Sequence, residues 1–330
     1  MNERKQIVLV NANFARGNAL FNYLKKYSQE SSERFVYWDE FAFSVEPLPE
    51  SDAVLVFNQP SCSIETHCDP GKTIAFMMEP GDRNEHPWMF RQLDRYAVVY
   101  SPINHSANTI LSHGFLGWML DGDRNFLADM PVPEKTKAVS CIASNLTQLK
   151  GHNDRVRFVN ELKKQLPAID FFGKGSNYLP DKMDGLRDYY YSIAIENSSA
   201  PYYFTEKIND CFLAYTVPVY HGCKNIGKFF PAKAFIQIDI NDPRSAMRQI
   251  RECLFRNDWP ERIEALKEAR ELVLNKYQPL AGAAAALRNI QPSGKKNFEI
   301  TPVTPSLKKR ISNAWFQIKH AGATSKSVST

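Results

Sequence analysis

Between Tyr189 and Asp239 the chain reads YYYSIAIENSSAPYYFTEKINDCFLAYTVPVYHGCKNIGKFFPAKAFIQID, and no other stretch narrows the accessible folds as far. Tyr190 to Ile195 is an apolar run of strand length that ends in the polar cluster Glu196-Asn197-Ser198-Ser199. A loop containing Pro201 follows. Thr205 suits an N-cap, and Ile208, Cys211, Phe212 and Tyr215 recur at three- and four-residue spacing, which predicts a helix ending near Thr216. Val217 to Tyr220, closed by His221-Gly222, predicts a second strand. Strand, polar loop, helix and strand make a βαβ unit with a right-handed crossover. Such units collect ligands at the carboxyl ends of their strands, where helix N-termini hold phosphates.

The succession ENS, YFTEKI, VPVYHG and the Phe235-Ile236 pair after FFPAKA resembles the donor-binding signature of glycosyltransferase family 10, the α-1,3/1,4-fucosyltransferases. That signature runs roughly ENS, YVTEK, VPV-x-x-G, SFI, and the likeness covers about fifty residues in order. Phe204 stands where the signature has valine. The resemblance implies an inverting transfer of L-fucose from GDP-fucose on two Rossmann-like domains facing a cleft, the GT-B architecture. It implies that Asn197 and Tyr203 line the diphosphate and donor pocket beside Glu196, that Glu206 binds the ribose hydroxyls, and that Lys207 pairs with phosphate. The residue chemistry agrees: a carboxylate accepts from a diol, and an ammonium reinforces the positive field of a helix N-terminus.

The same resemblance extends to four places outside the stretch. Arg155, three residues before Phe158, corresponds to the family's diphosphate-binding arginine, with Arg157 as its internal competitor. Asp170-Phe171-Phe172-Gly173-Lys174-Gly175 is similar to a D-x-Y/F-G-x-G strand end whose glycines allow a tight turn beneath the donor. Lys182 matches a recurrent lysine of less defined role. In FMMEP, Glu79 looks like the family's general base, which must take the proton of an acceptor hydroxyl as it attacks the anomeric carbon. Asp39, Glu40, Asp94, His86 and His105 compete for that role in the same half.

Composition bounds these readings. The chain has 330 residues, 43% hydrophobic and 23% charged, enough for two domains with proper cores. A net charge of +5 suits anionic ligands or an anionic membrane surface and is too mild to argue for nucleic acid. The six cysteines form no CxxC pair and read as buried thiols of a reducing compartment; Cys62, His67 and Cys68 match no zinc spacing. No DxD pair stands at a strand end, since Asp239-Ile240-Asn241-Asp242 is mis-spaced, so no obligatory metal is expected. The opening MNERKQIVLVNANF has only a short apolar run, giving the expectation of a cytoplasmic protein without signal peptide or transmembrane anchor.

Strands at Gln6–Val10, Phe35–Trp38, Ala53–Phe57, Thr73–Met78 and Ala97–Ser101 predict an acceptor-binding α/β domain over 1–130, with Asp94 on a helix starting near Pro87. The two prolines of 129–136 mark the boundary. Residues 131–300 form the donor-binding domain, with a strand from Ala138 to Ala143, a helix from Asn153 to Gln165 and a strand from Ala234 to Ile240. In 301–330, Leu307, Ile311, Trp315 and Ile318 against Lys308, Lys309, Arg310 and Lys319 predict a basic amphipathic helix over 306–319. It suits either peripheral contact with the inner membrane surface or packing back on the first domain. The expected acceptor is a GlcNAc- or galactose-containing glycan of lipopolysaccharide or a related surface polymer. The alternatives are another GDP-deoxyhexose donor, or a GDP-sugar-binding protein without turnover.

Overall fold

The structure, a computed structural model, describes residues 4–80, 87–143, 150–173, 177–256 and 258–303, with only the backbone of 150–152. The first half runs β1 (Gln6–Ala12), α1 (Gly17–Lys25), β2 (Glu30–Ser31), β3 (Val36–Trp38), β4 (Phe41–Ser44), β5 (Ala53–Phe57), β6 (Ile64–Cys68), β7 (Thr73–Phe76), β8 (Val98–Ser101), β9 (Thr109–Leu111) and α2 (Arg124–Asp129). The second runs β10 (Lys137–Ile142), α3 (Lys150–Gln165), β11 (Asp170–Phe172), β12 (Tyr189–Ile195), α4 (Glu206–Leu213), β13 (Val217–His221), β14 (Ile236–Gln237), α5 (Pro243–Phe255), α6 (Trp259–Asn275), α7 (Pro279–Arg288) and β15 (Lys296–Ile300).

Two sheets organise these elements. The first has the order β2-β3-β4-β1-β5-β7-β8-β9 and is parallel from β4 to β9, with the antiparallel pairs β3–β4 and β2–β3 at one edge. The second is parallel throughout, in the order β11-β10-β12-β13-β14. Its central strands are buried on both faces, so β12 and β13 read as unbroken apolar runs and not as alternating ones. The order reverses between β10 and β12, and there an open parallel sheet offers a crevice at its carboxyl edge.

Three expectations change. Strand Ala234–Ile240 shrinks to β14, because Ala232–Ala234 turns as a 3-10 segment and only Ile236 and Gln237 reach β13. The helix expected from Pro87 is two short 3-10 turns, Pro87–Phe90 and Leu93–Arg95, separated by the left-handed Gln92 (φ 55°). Cys62 is exposed while the other five cysteines are buried.

After α7 the chain returns to the first half. Arg288 bonds Asp39 (2.7 Å) and Glu40, the Ser293 amide donates to Asp69 (2.7 Å), and β15 pairs antiparallel with β6. Asp39 and Glu40, weighed above as bases, are occupied by that contact. The helix expected at 306–319 lies outside the described residues, as do His86 and Lys174-Gly175.

Candidate functional site

The crevice of the second sheet holds a cavity of about 360 Å3 lined by Arg155, Gly173, Lys182, Glu206 and Lys207 among others. Five residues from four separate segments, all anticipated from sequence, therefore meet in one place. Gly173 sits there because nothing larger fits: its φ is +134° and a Cβ would lie 2.0 Å from the Ala143 carbonyl oxygen.

Arg155 is buried in the middle of α3 and donates from its guanidinium to Asn197 Oδ1 at the end of β12. Arg157 is exposed and bonds Asp154 at 3.0 Å, so it is the other arginine that faces the cavity. α4 brings the remaining charges. Thr205 caps it as expected, and its own amide and hydroxyl donate to Glu196 at 2.8 and 2.9 Å. Lys207 Nζ lies 3.1 Å from Glu196 Oε2 and 3.3 Å from Glu206 Oε1. Burial pulls the Lys207 pKa down, but the two glutamates outweigh it and hold the ammonium charged. Burial likewise opposes ionisation of Glu206, yet Lys207 and Lys182 keep its carboxyl below the ordinary range.

Glu196 corrects one expectation. Its side chain is fully buried beneath α4, so it organises Thr205 and Lys207 and presents no oxygen to a ligand in the cavity. Tyr203 is buried in the loop entering α4, and neither it nor Asn197 lines the cavity.

Lys182 is tied by Asp210, a residue that sequence reasoning passed over. Their atoms are 2.9 Å apart, with Glu206 at 3.8 Å, and the other Asp210 oxygen accepts from the Met119 amide at 2.8 Å. Asn209 beside it donates to the carbonyls of Leu116 and Gly117 at 2.9 and 2.8 Å. α4 thus fastens the segment that joins the two sheets, and Met119 of that segment reaches the cavity. Next to this seam Phe204 stacks on His113 at 4.7 Å with Phe229 and Tyr277 around them, which gives the larger side chain its packing role.

Glu79 stands apart, part-exposed just past β7 at the carboxyl edge of the first sheet. Asn58, left-handed at φ 59°, accepts from the Met78 amide at 2.7 Å and donates to Asn13 at 3.3 Å, so the ends of β1, β5 and β7 are linked. Gly114 presses on the same loop: a Cβ there would lie 2.6 Å from Met78 Cα. Of the competing bases, Asp94 lies in a 3-10 turn and His105 packs against the Phe90 ring at 4.1 Å. Among the described residues no group of three His, Cys, Asp or Glu could hold a metal ion, and no helix is long and apolar enough to cross a membrane.

Two α/β units built on parallel sheets, one with a charged cavity at its switch point, define the GT-B architecture. A solved structure described as trehalose-6-phosphate from E. coli bound with UDP-2-fluoro glucose superposes with a TM-score of 0.50 over 87% of this chain and 99% of that one. At 10% identity this likeness speaks for the fold alone. An alpha1,3-fucosyltransferase solved with GDP-fucose aligns over 84% of this chain and 94% of that one, with a TM-score of 0.49 and 17% identity.

Residues 132–258 match the family described as glycosyltransferase family 10 (fucosyltransferase) C-term. It is 28% identical over 219 residues to human 4-galactosyl-N-acetylglucosaminide 3-alpha-L-fucosyltransferase FUT6, covering 62% of this chain and 58% of that protein. It is 31% identical over 126 residues to mouse 4-galactosyl-N-acetylglucosaminide 3-alpha-L-fucosyltransferase 9, covering 37% of this chain and 34% of that protein. The chain therefore spans little more than half the length of the first of these curated relatives.

Proposed function

We propose that the chain is an inverting fucosyltransferase that binds GDP-fucose in the second-sheet cavity and transfers L-fucose to a glycan hydroxyl. The observation that carries this reading is the convergence of Arg155, Lys182 and Lys207 with Glu206 in one cavity of about 360 Å3. Cations fixed by buried carboxylates are pre-set for a diphosphate, and Glu206 offers a carboxylate to the ribose diol. Asn197, which accepts from Arg155, and Tyr203 in the loop entering α4 support the donor side from behind the cavity wall in this reading.

The reaction is a single displacement. The acceptor oxygen attacks the anomeric carbon, the bond from that carbon to the diphosphate oxygen breaks, and Glu79 takes the hydroxyl proton. GDP leaves with its growing charge offset by Arg155 and Lys207, and a β-linked donor gives an α-linked product. Residues 1–130 hold the acceptor and 131–300 the donor. A GlcNAc- or galactose-containing surface glycan such as lipopolysaccharide is the acceptor class, and the cytoplasmic face of a membrane is the working location.

The test is calorimetric titration of GDP-fucose, GDP-mannose and UDP-galactose without divalent metal, on the wild type and on Arg155→Met. Binding of the GDP sugars that is lost in the variant is expected. Absence of binding, or equal binding by the variant, would overturn the donor site.

A further inference from the structure

α5 carries Arg244, Arg248 and Arg251 at positions i, i+4 and i+7 and Phe255 at i+11, so all four lie along one stripe about 16 Å long. The stripe is exposed, with Phe255 at 84%, while Ala246, Ile250 and Cys253 bury the opposite face and the buried Met247 borders the stripe. The three arginines also wall a groove of about 400 Å3 between α5 and α3. Glu161 on the far wall is already near Lys164, at 3.9 Å.

These arginines differ from others on the surface. Arg34 is paired with Glu46 at 2.8 Å, Arg157 with Asp154 at 3.0 Å and Arg256 with Asp258 at 3.6 Å. Arg244, Arg248 and Arg251 make no ion pair among the described residues; Arg248 has a Ser245 hydroxyl at 3.5 Å. Like charges one turn apart weaken a helix, and an 84% exposed phenylalanine at its end gains nothing from water. Both features are answered by one surface that offers phosphates and, just beneath them, hydrocarbon.

We propose that the α5 stripe docks on the anionic phospholipid headgroups of a membrane, the guanidiniums on lipid phosphates and Phe255 entering the interface. None of the four residues lines the charged cavity, so the stripe is a separate surface. A nucleic acid would satisfy the arginines equally, but the net charge of +5 is weak for that partner.

The test is co-sedimentation of the full chain with phosphatidylcholine vesicles with and without phosphatidylglycerol, so that any contribution of residues 304–330 is common to every variant. The wild type is expected to sediment with the anionic vesicles alone, less as salt rises. Arg244→Gln/Arg248→Gln/Arg251→Gln lowers the partition roughly 100-fold, at about fivefold per charge, and the triple lysine variant largely keeps it. Phe255→Ala costs about tenfold at unchanged salt dependence. Thermal melts of the same variants, expected to match the wild type, exclude misfolding. Equal sedimentation of the glutamine variant overturns the proposal. So does arginine-dependent binding of a DNA duplex without vesicle binding, or complete competition by inorganic phosphate, which would mark a free-anion site.

Discussion

Lys207 and Glu196 form a pair 3.1 Å apart in which the carboxylate is wholly buried and the ammonium is not, with side-chain exposures of 0% and 20%. Glu196 is thus a fixed counter-charge that aims Lys207 outward, and it also holds the Thr205 cap. Removing Lys207 does two things: it deletes a cation of the cavity and strands a buried carboxylate. The two separate in a cycle. Lys207→Ala is expected to lower stability by about 3–5 kcal/mol and GDP-fucose affinity by about 10–100-fold. Lys207→Ala/Glu196→Gln recovers most of the stability and none of the affinity. Melts and calorimetry on the four proteins check this, and recovered affinity in the double variant would show that Lys207 acts only through the fold.

Glu79 lies on the first sheet and the cavity on the second, so donor binding and proton removal should separate cleanly. Glu79→Gln keeps the size of the side chain and removes its basicity. Turnover is expected to fall about 10²–10⁴-fold with GDP-fucose affinity unchanged. A fall of less than tenfold, measured with an acceptor in excess, would pass the role to another group.

The βαβ unit was legible because its signals are local: two apolar runs, a threonine cap and helical spacing between them. Arg155, Lys182, Glu206 and Lys207 could be named for the same reason, since each sits in a short pattern. Asp210 could not. Between Asn209 and Cys211 it reads as an ordinary helical aspartate, and only the distant Lys182 and the Met119 amide give it a purpose. Asn58 and Gly114 were hidden likewise, because the Met78 loop they support is formed by residues far apart in the chain. The β6–β15 ribbon joins residues more than 200 positions apart, as in the His67–Asn297 contact, and no window of sequence carries such a pairing. Glu196 could not be placed from its strand-end position: a carboxylate there can face the ligand or the helix cap, and burial decides.

Arg155, Lys182 and Lys207 put three cationic side chains around the cavity. If they balance the leaving diphosphate, fucosyl transfer should run at the same rate in EDTA as in Mg²⁺. A rate that disappears in EDTA and returns with the metal would sink this account of leaving-group stabilisation.

His113 ties stability to pH at the seam between the sheets. It is buried against Phe115, Phe204, Phe229 and Tyr277, and its Nδ1 accepts from the Phe115 amide at 3.1 Å, which requires the unprotonated nitrogen. Burial, helped by the charge of Lys276, pushes its pKa from 6.5 down to about 3. The unfolded chain therefore binds a proton below pH 6.5 that the folded chain refuses until about pH 3, so stability falls as pH drops through that window. By pH 5 the loss from this one group is about 2 kcal/mol. In His113→Asn the amide oxygen takes over the acceptor role of Nδ1 and nothing titrates. Urea unfolding at pH 7 and pH 5 should show the wild type losing about 2 kcal/mol more than the variant. Equal losses would mean that the ring protonates within the fold, and that the aromatic seam opens more readily than its packing implies.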